Sequence, residues 1–478
     1  MKKISVQIAL SILMLTTITA QNYQPVYSHR TALFDGAKLG LYPIHIDSVK
    51  YNGDSIFYPI KFIRPIDSKC YSPYEPSWLG EKIIVENNGN CLFFNDAKDT
   101  IRIKTNALLN EEWDTWKLPD SNYVKAKVIL WDTMSIIGLF DSVKTIAFQM
   151  YNKSHNMIDH KVNDYSVQLS RNYGLLKTPN FYSFPNEDSY NNEPLDSFHI
   201  VGLTNPAMGI QNLTWFDIYD FQPGDEIHTK HLLSKMGYSS ITTKTIRKYL
   251  NRQDFQDSII YTVEQSLSIH TQVKDSIKYE FEIDTITETI ASYDTLFNTL
   301  PMKPIIQPER ISQYSMYDND TKKSNVQFFI YSDNDSCGGV PLSEGMPISE
   351  TYKRGLGGPY YSHSTNDYEI ERKELVFYIK GDVTWGSPLN LNTMESTEHE
   401  SSIRVYPNPT KQFVNFMLEA SHLPAKVEIS DIQGKILMSE LIIEKNASLY
   451  INDLTSGLYL YRVITKNDGI HAGKLMVK

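Results

Sequence analysis

Four short stretches carry side chains whose types and spacing could do chemistry. In Asp333-Asn334-Asp335-Ser336-Cys337-Gly338, followed by Val340 and Glu344, positions one, three, six, eight and twelve match a calcium-binding EF-hand loop. Position five should offer an oxygen and is Cys337, and the preceding Val326–Tyr331 reads as strand where the motif needs a helix. A polar turn between strands is the competing reading. Calcium held by Asp333, Asp335 and Glu344 is therefore the only cofactor these residues suggest. Glu111-Glu112-Trp113-Asp114-Thr115-Trp116 joins carboxylates to aromatics, as a glycosidase cleft would. Adjacent residues of a strand point to opposite faces, however, so an exposed strand edge is the simpler expectation. His228 and His231 are three apart and would share a helix face, but no Cys or carboxylate nearby completes a metal site, and they read as polar surface residues. Gly357-Gly358-Pro359-Tyr360-Tyr361 is a turn with two tyrosines that could rim a ligand. The chain has no Gly-x-Ser-x-Gly elbow, no His-Glu-x-x-His, no phosphate loop and no dinucleotide fingerprint. No catalytic residue is assigned.

The elements that would position these residues are strands. The clearest pattern runs from Ile259 to Ile283. Ile259, Tyr261, Val263, Leu267, Ile269 and Val273 hold odd positions, and after Lys274-Asp275-Ser276 the pattern restarts with Ile277, Tyr279, Phe281 and Ile283. Period two over this length predicts a long antiparallel hairpin with one wet face. Asn-Gly turns at Tyr51-Asn52-Gly53-Asp54 and Asn87-Asn88-Gly89-Asn90 predict two more hairpins. Residues Thr229–Asn251, with His231, Leu232, Leu233, Met236, Ile241, Ile246 and Leu250, could hold a short helix or two. The fold expected is mainly β, with antiparallel sheets in one or two central units.

The chain has 478 residues, 41% hydrophobic and 21% charged, which are globular values and enough for two to four domains. A net charge of −10 argues against nucleic acid and against charge-driven binding to anionic lipid. The 31 tyrosines favour β-structure. Of the three cysteines, Cys70 and Cys91 are close in sequence and could pair, which would leave Cys337 over.

Both ends carry signals for transport. Lys2-Lys3, the apolar run Ile4 to Ile18 and Thr19-Ala20 before Gln21 read as a signal peptide over 1–20, cut between Ala20 and Gln21. The run is too short for a confident membrane span, and no later segment approaches that length, so no transmembrane segment is expected after signal removal. The units expected are 21–230, 231–386 with the long hairpin, a polar linker at 387–402 and a C-terminal domain at 403–478. In the last of these, Val427 and Ile429 alternate with Glu428 and Ser430, and Asp431-Ile432-Gln433-Gly434 turns the chain. Six or seven short strands with regular turns predict a small immunoglobulin-like sandwich.

This segment resembles the type A C-terminal sorting domain of type IX secretion cargo. Pro407-Asn408-Pro409, the Asp431…Gly434 hairpin, Gly457-Leu458-Tyr459 and the Lys474…Lys478 ending carry the resemblance. It implies passage through the type IX machinery across a Gram-negative outer membrane and removal of the domain by a surface sortase. Anchoring to lipopolysaccharide or release to the medium would follow. The central region resembles no characterised family. Asp-(Ser/Thr)-aliphatic triplets recur through it, as at Asp54, Asp99, Asp132, Asp257 and Asp284. They read as turn residues that open strands, and they also resemble the O-glycosylation sequon of bacteria that carry this pathway. The function expected is an exported surface or secreted protein whose central region binds, adheres or plays a structural part. A secreted hydrolase with dispersed catalytic residues is the alternative.

Overall fold

The computed structural model describes residues 23–36, 40–66, 71–117, 122–186, 195–235, 238–274, 276–291, 296–307, 310–328, 330–331, 338–339, 349–364, 369–391, 403–466 and 470–478. Ala20, Gln21, Cys70, Asp333, Asp335, Cys337 and Glu344 lie outside them, as do 392–402 of the expected linker. The chain divides into two compact units, Met1–Leu389 and Asn390–Lys478. Both are built of antiparallel β-sheet, as expected.

The first unit opens with two sheets that share a core. One is nine-stranded, with the pair Tyr123–Ile136 and Leu139–Tyr151 in it. The other is five-stranded and runs from Ile46 to Lys104. Alternation decides what faces inward: in Thr100–Lys104, Ile101 and Ile103 are buried while Thr100 and Arg102 are exposed. Val124, Ala126, Ile146 and Phe148 from the first sheet meet Phe93, Ile101 and Ile103 from the second in one cluster. Both Asn-Gly signals form the predicted hairpins, with Gly53 and Gly89 at positive φ. The triplets at Asp54, Asp99 and Asp257 open strands, but those at Asp132 and Asp284 lie inside them, so turn chemistry does not explain every copy.

The third large sheet has eleven strands. Seven of them matter here: β1 (Glu226–Lys235), β2 (Ser239–Asp254), β3 (Ser258–Val273), β4 (Ser276–Ala291), β5 (Ser349–Lys353), β6 (Gly357–Ser364) and β7 (Glu369–Lys380). They lie in the order β4-β3-β2-β1-β7-β6-β5, so β4 is an edge. β2, β3 and β4 have 16 residues each. At about 3.3 Å per residue each is roughly 50 Å long. The expected boundary at 230/231 falls inside β1.

Two expectations fail in this sheet. Thr229–Asn251 holds no helix; it forms most of β1 and β2. Ser239, Ser240, Ile241, Thr242, Thr243, Thr245 and Ile246 are β-branched or small, and they outweigh the helical spacing of the leucines. The long hairpin exists, but its two apolar stripes do not share a face. Val273 pairs with Ser276 across a two-residue loop, so odd residues of β3 sit opposite even residues of β4. Ile269 pairs with Glu280 and Ser268 with Phe281. Directly paired residues project to one side, so the β3 stripe faces one way and the β4 stripe the other. Ile259, Tyr261 and Val263 at the base of β3 are buried, whereas Ile277, Tyr279, Phe281 and Ile283 are 46–61% exposed.

One buried cation ties the base of this sheet together. The Nζ of Lys322, fully buried, donates to Asn212 Oδ1 (3.0 Å) and to the carbonyls of Leu213 (3.0 Å), Phe297 (2.6 Å) and Thr299 (3.0 Å). The ring of Phe297 lies 4.8 Å from it. Loops that present bare carbonyls to a core need such a donor.

The second unit is a seven-stranded sandwich: Arg404–Tyr406, Phe413–Met417 and Asn446–Tyr450 on one side, Ile436–Ile442, Ala425–Ser430, Gly457–Ile464 and Ile470–Val477 on the other. Val414, Phe416, Val427, Ile429, Ile451, Val463 and Leu475 fill it. The predicted hairpin at Asp431 closes as read: its Oδ1 accepts from the backbone of Gln433 (3.0 Å) and Lys435 (2.9 Å), and Gly434 takes φ +85°. Asn408 clasps the last strand, donating to the Lys474 carbonyl (2.7 Å) and accepting from the Met476 amide (2.9 Å). Tyr459 donates to the Thr455 carbonyl at 2.7 Å.

Candidate functional site

The face of the eleven-stranded sheet that carries odd residues of β1, β2 and β7 holds a cleft of about 350 Å³. Its floor is laid by alternation: Thr229 and His231 from β1, Thr243, Thr245, Arg247 and Tyr249 from β2, Gln265 and Leu267 from β3. Glu288 of β4 and Lys373 of β7 complete the sides, and Tyr360 and Tyr361 of β6 form one wall. The tyrosine pair that the sequence marked as a turn is thus at the start of a strand, and both rings line the cleft. Gly358 permits this. A Cβ there would lie 2.9 Å from the Thr351 carbonyl oxygen and 2.9 Å from the Tyr352 ring, and its φ is +153°.

The cleft is rigid at its base. Tyr249 stacks on Phe221 with centroids 4.0 Å apart. Burial, then the Glu288 charge, pushes its phenol well above its ordinary value, so it is a neutral donor. Arg247 is committed: Nε donates to Gln265 (3.0 Å) and Nη1 to both oxygens of Glu288 (3.2 and 3.3 Å). Burial pulls its guanidinium down, but Glu288 and Tyr249 more than offset this and hold it above its usual value. Tyr360 donates to the Leu356 carbonyl at 2.5 Å.

Lys373 is different. It is partly buried, and its ammonium has no ion pair or hydrogen bond among the described residues. Burial lowers its pKa, Arg247 lowers it further, and Glu288 and Glu350 pull the other way. An ammonium with no committed acceptor in an aromatic cleft can take an anionic or hydroxyl-rich group. Beyond it, Glu371 of β7 gathers three side chains. His231 lies 2.9 Å from Oε1, the Tyr361 hydroxyl donates to Oε1 at 2.6 Å, and His363 Nε2 is 3.6 Å from Oε2. The Tyr361 hydroxyl, above all, holds this carboxyl below its ordinary value. The Nδ1 of His363 is buried without a partner.

The other candidates from the sequence come out as follows. His228 and His231 sit on a strand and point to opposite faces. His228 is buried, not a surface residue: its Nε2 lies 2.6 Å from Glu226 and its Nδ1 accepts from the Leu389 amide at 2.9 Å. Glu111 to Trp116 lies at the terminal strand of the nine-stranded sheet, as expected. Trp113 and Trp116 are buried and donate to the Arg102 carbonyl (2.8 Å) and Asp99 (3.2 Å), so they build core and offer no sugar platform. Cys91 is a buried free thiol, raised in pKa by burial and then by Glu86. Among the described residues no group of three His, Cys, Asp or Glu could hold a metal ion. A buried lysine that sequence gave no hint of, Lys144, donates to the carbonyls of Thr105 and Ala107 (both 2.9 Å) beneath the rings of Tyr23 and Trp131. Burial lowers it to about 8, but it is 2% exposed and faces no cleft.

Residues 404–478 match the family described as the secretion system C-terminal sorting domain. The protein is type IX secretion cargo, it engages that machinery, and it is exported to the cell surface or the extracellular space. No curated protein matches the chain. Among solved structures it is similar to the extracellular domain described as that of a one-component system of B. thetaiotaomicron, at 8% identity over 96% of this chain and 98% of that one, with a TM-score of 0.12. A second, described as the extracellular domain of a hybrid two-component system from the same organism, gives 8% identity, 94% and 99% coverage and a TM-score of 0.14. Agreement this weak says nothing about shared architecture or role. No helix among the described residues is long and apolar enough to cross a membrane.

Proposed function

We propose that the central region is an extracellular binding module whose ligand seats in the cleft between β2, β6 and β7. The observation that carries this reading is the uncommitted ammonium of Lys373 beside Tyr360 and Tyr361, in a cleft whose Arg247 and Glu288 are already paired with each other. A hydroxyl-rich polymer bearing carboxylates fits these groups: its rings stack on tyrosine, its hydroxyls meet Thr243, Thr245 and Gln265, and its acid meets Lys373. The ends of the chain support delivery to the outside of a Gram-negative cell. In this reading a signal peptidase cuts at Ala20–Gln21, a surface sortase removes the sorting domain, and lipopolysaccharide anchors the product.

The test is calorimetric titration of the protein with polygalacturonate and with neutral dextran, followed by a reducing-end assay on the same mixtures. Binding of the acidic polymer, with no new reducing ends, supports the module. No binding of either polymer defeats it, and chain cleavage would turn the reading to a secreted hydrolase.

A further inference from the structure

The distal half of β4 is unusual for an edge strand. From Ser276 to Thr285 every residue is exposed on either face. Its backbone pairs on one side only, with β3. One face carries Ile277, Tyr279, Phe281 and Ile283 and the other Lys278, Glu280, Glu282 and Asp284. Long edges with an apolar stripe invite pairing, and natural sheets usually blunt them with bulges, prolines or inward charges. β4 has an unbroken register with β3 and no proline.

We propose that β4 pairs antiparallel with β4 of a second copy of this chain, about a two-fold axis at Tyr279. Two features select this occupant and this register. The first is the backbone. A two-residue loop closed by Val273 and Ser276 makes that pair hydrogen-bonded, and the pattern repeats at every second residue. The N–H and C=O groups of Ile277, Tyr279 and Phe281 therefore point to the open side. Centring on Tyr279 sets Tyr279 against its own copy and Ile277 against Phe281 of the second copy, so these groups meet each other.

The second feature is charge. The same register places Lys278 opposite Glu280 of the second copy, twice by symmetry. Sliding the axis to residue 280 puts Glu280 against Glu280. Sliding it to 284, for a longer overlap, puts Asp284 against itself and Glu280 against Glu288. Like charges directly opposite destabilise a pair of strands, and opposite charges stabilise it. Only the Tyr279-centred register joins apolar to apolar and cation to anion with no like charges directly opposite. The assembly extends both sheets into one and sets the two apolar stripes side by side on one face. It goes beyond the ligand-binding reading and does not depend on it.

Sedimentation velocity of the full chain across a concentration series tests this. The expected result is a concentration-dependent shift from monomer to dimer. Lys278→Glu and Glu280→Lys each weaken the dimer about tenfold, because each sets like charges opposite at two symmetric sites. The double variant restores it. Both substituted side chains are exposed, and an unchanged melting curve confirms that the variants fold. A monomer at every concentration would overturn the proposal. So would a dimer that neither single reversal weakens, or one that the double variant fails to restore.

Discussion

Replacing Lys322 with Met keeps the length of the side chain and removes its head. In the folded protein that head satisfies four oxygens, three of them backbone carbonyls. A buried acceptor left without a donor costs about 1–3 kcal/mol. Three stranded carbonyls at the lower figure give about 3 kcal/mol, and the Asn212 amide can turn to recover part of its loss. Against this, the variant no longer desolvates a charge, which returns some stability. The net expected loss is about 3 kcal/mol, a large share of a typical domain's 5–15. Urea unfolding followed by tryptophan fluorescence is the right assay, because the six tryptophans all lie between Trp78 and Trp385 and none is in the sorting domain. Trp215 packs edge-on against Phe297, 5.3 Å away, and reports directly on the loops that Lys322 joins. A loss below about 1 kcal/mol would refute the reasoning, since even one stranded carbonyl should cost that much.

Three further outcomes follow from other parts of the molecule. Lys144 has a folded pKa of about 8 against an ordinary 10.5, so between those values the unfolded chain holds a proton that the folded chain lacks. Stability due to this group therefore rises with pH across that window, by up to about 3 kcal/mol, and the rise should appear as the difference between wild type and Lys144→Met in parallel denaturant titrations, being absent from the variant. Cys91 should resist a thiol reagent in the native protein and react on unfolding, because its sulfur is buried and its thiolate disfavoured. Asn408→Ala removes both side-chain hydrogen bonds to the last strand of the sandwich. A cost of about 1–2 kcal/mol to that unit should appear as faster amide exchange at Met476, and unchanged exchange there would count against the clasp.

Much of the fold could be read from local pattern. Asn52-Gly53, Asn88-Gly89 and Asp431 to Gly434 each fix a turn within a few residues, and alternation in β3 and β4 spans enough positions to exclude a helix. The face of each stripe was not readable from alternation alone. It depends on whether the loop holds an odd or an even number of residues, and Lys274-Asp275-Ser276 left that open. The strands over Glu226–Asp254 were misread because Leu232, Leu233 and Met236 suit a helix, while the signal that won was the run of serine, threonine and isoleucine from Ser239. The cleft was mostly invisible for a different reason. Arg247, Glu288, Tyr361 and Lys373 come from four strands spread over more than a hundred residues, and only the sheet order makes them neighbours. Tyr360 and Tyr361 stood out, through the glycines before them, and so did His231, though as a surface residue.

The central claim is that Lys373 presents a free cation to an acidic ligand in this cleft. Its most direct test is the affinity of the full chain for polygalacturonate in wild type, in Lys373→Met and in Lys230→Met, whose side chain lies on the opposite face of the sheet. Loss of about tenfold or more in Lys373→Met, with Lys230→Met like wild type, is the predicted result. Equal affinity in all three, or equal loss in both variants, would contradict it.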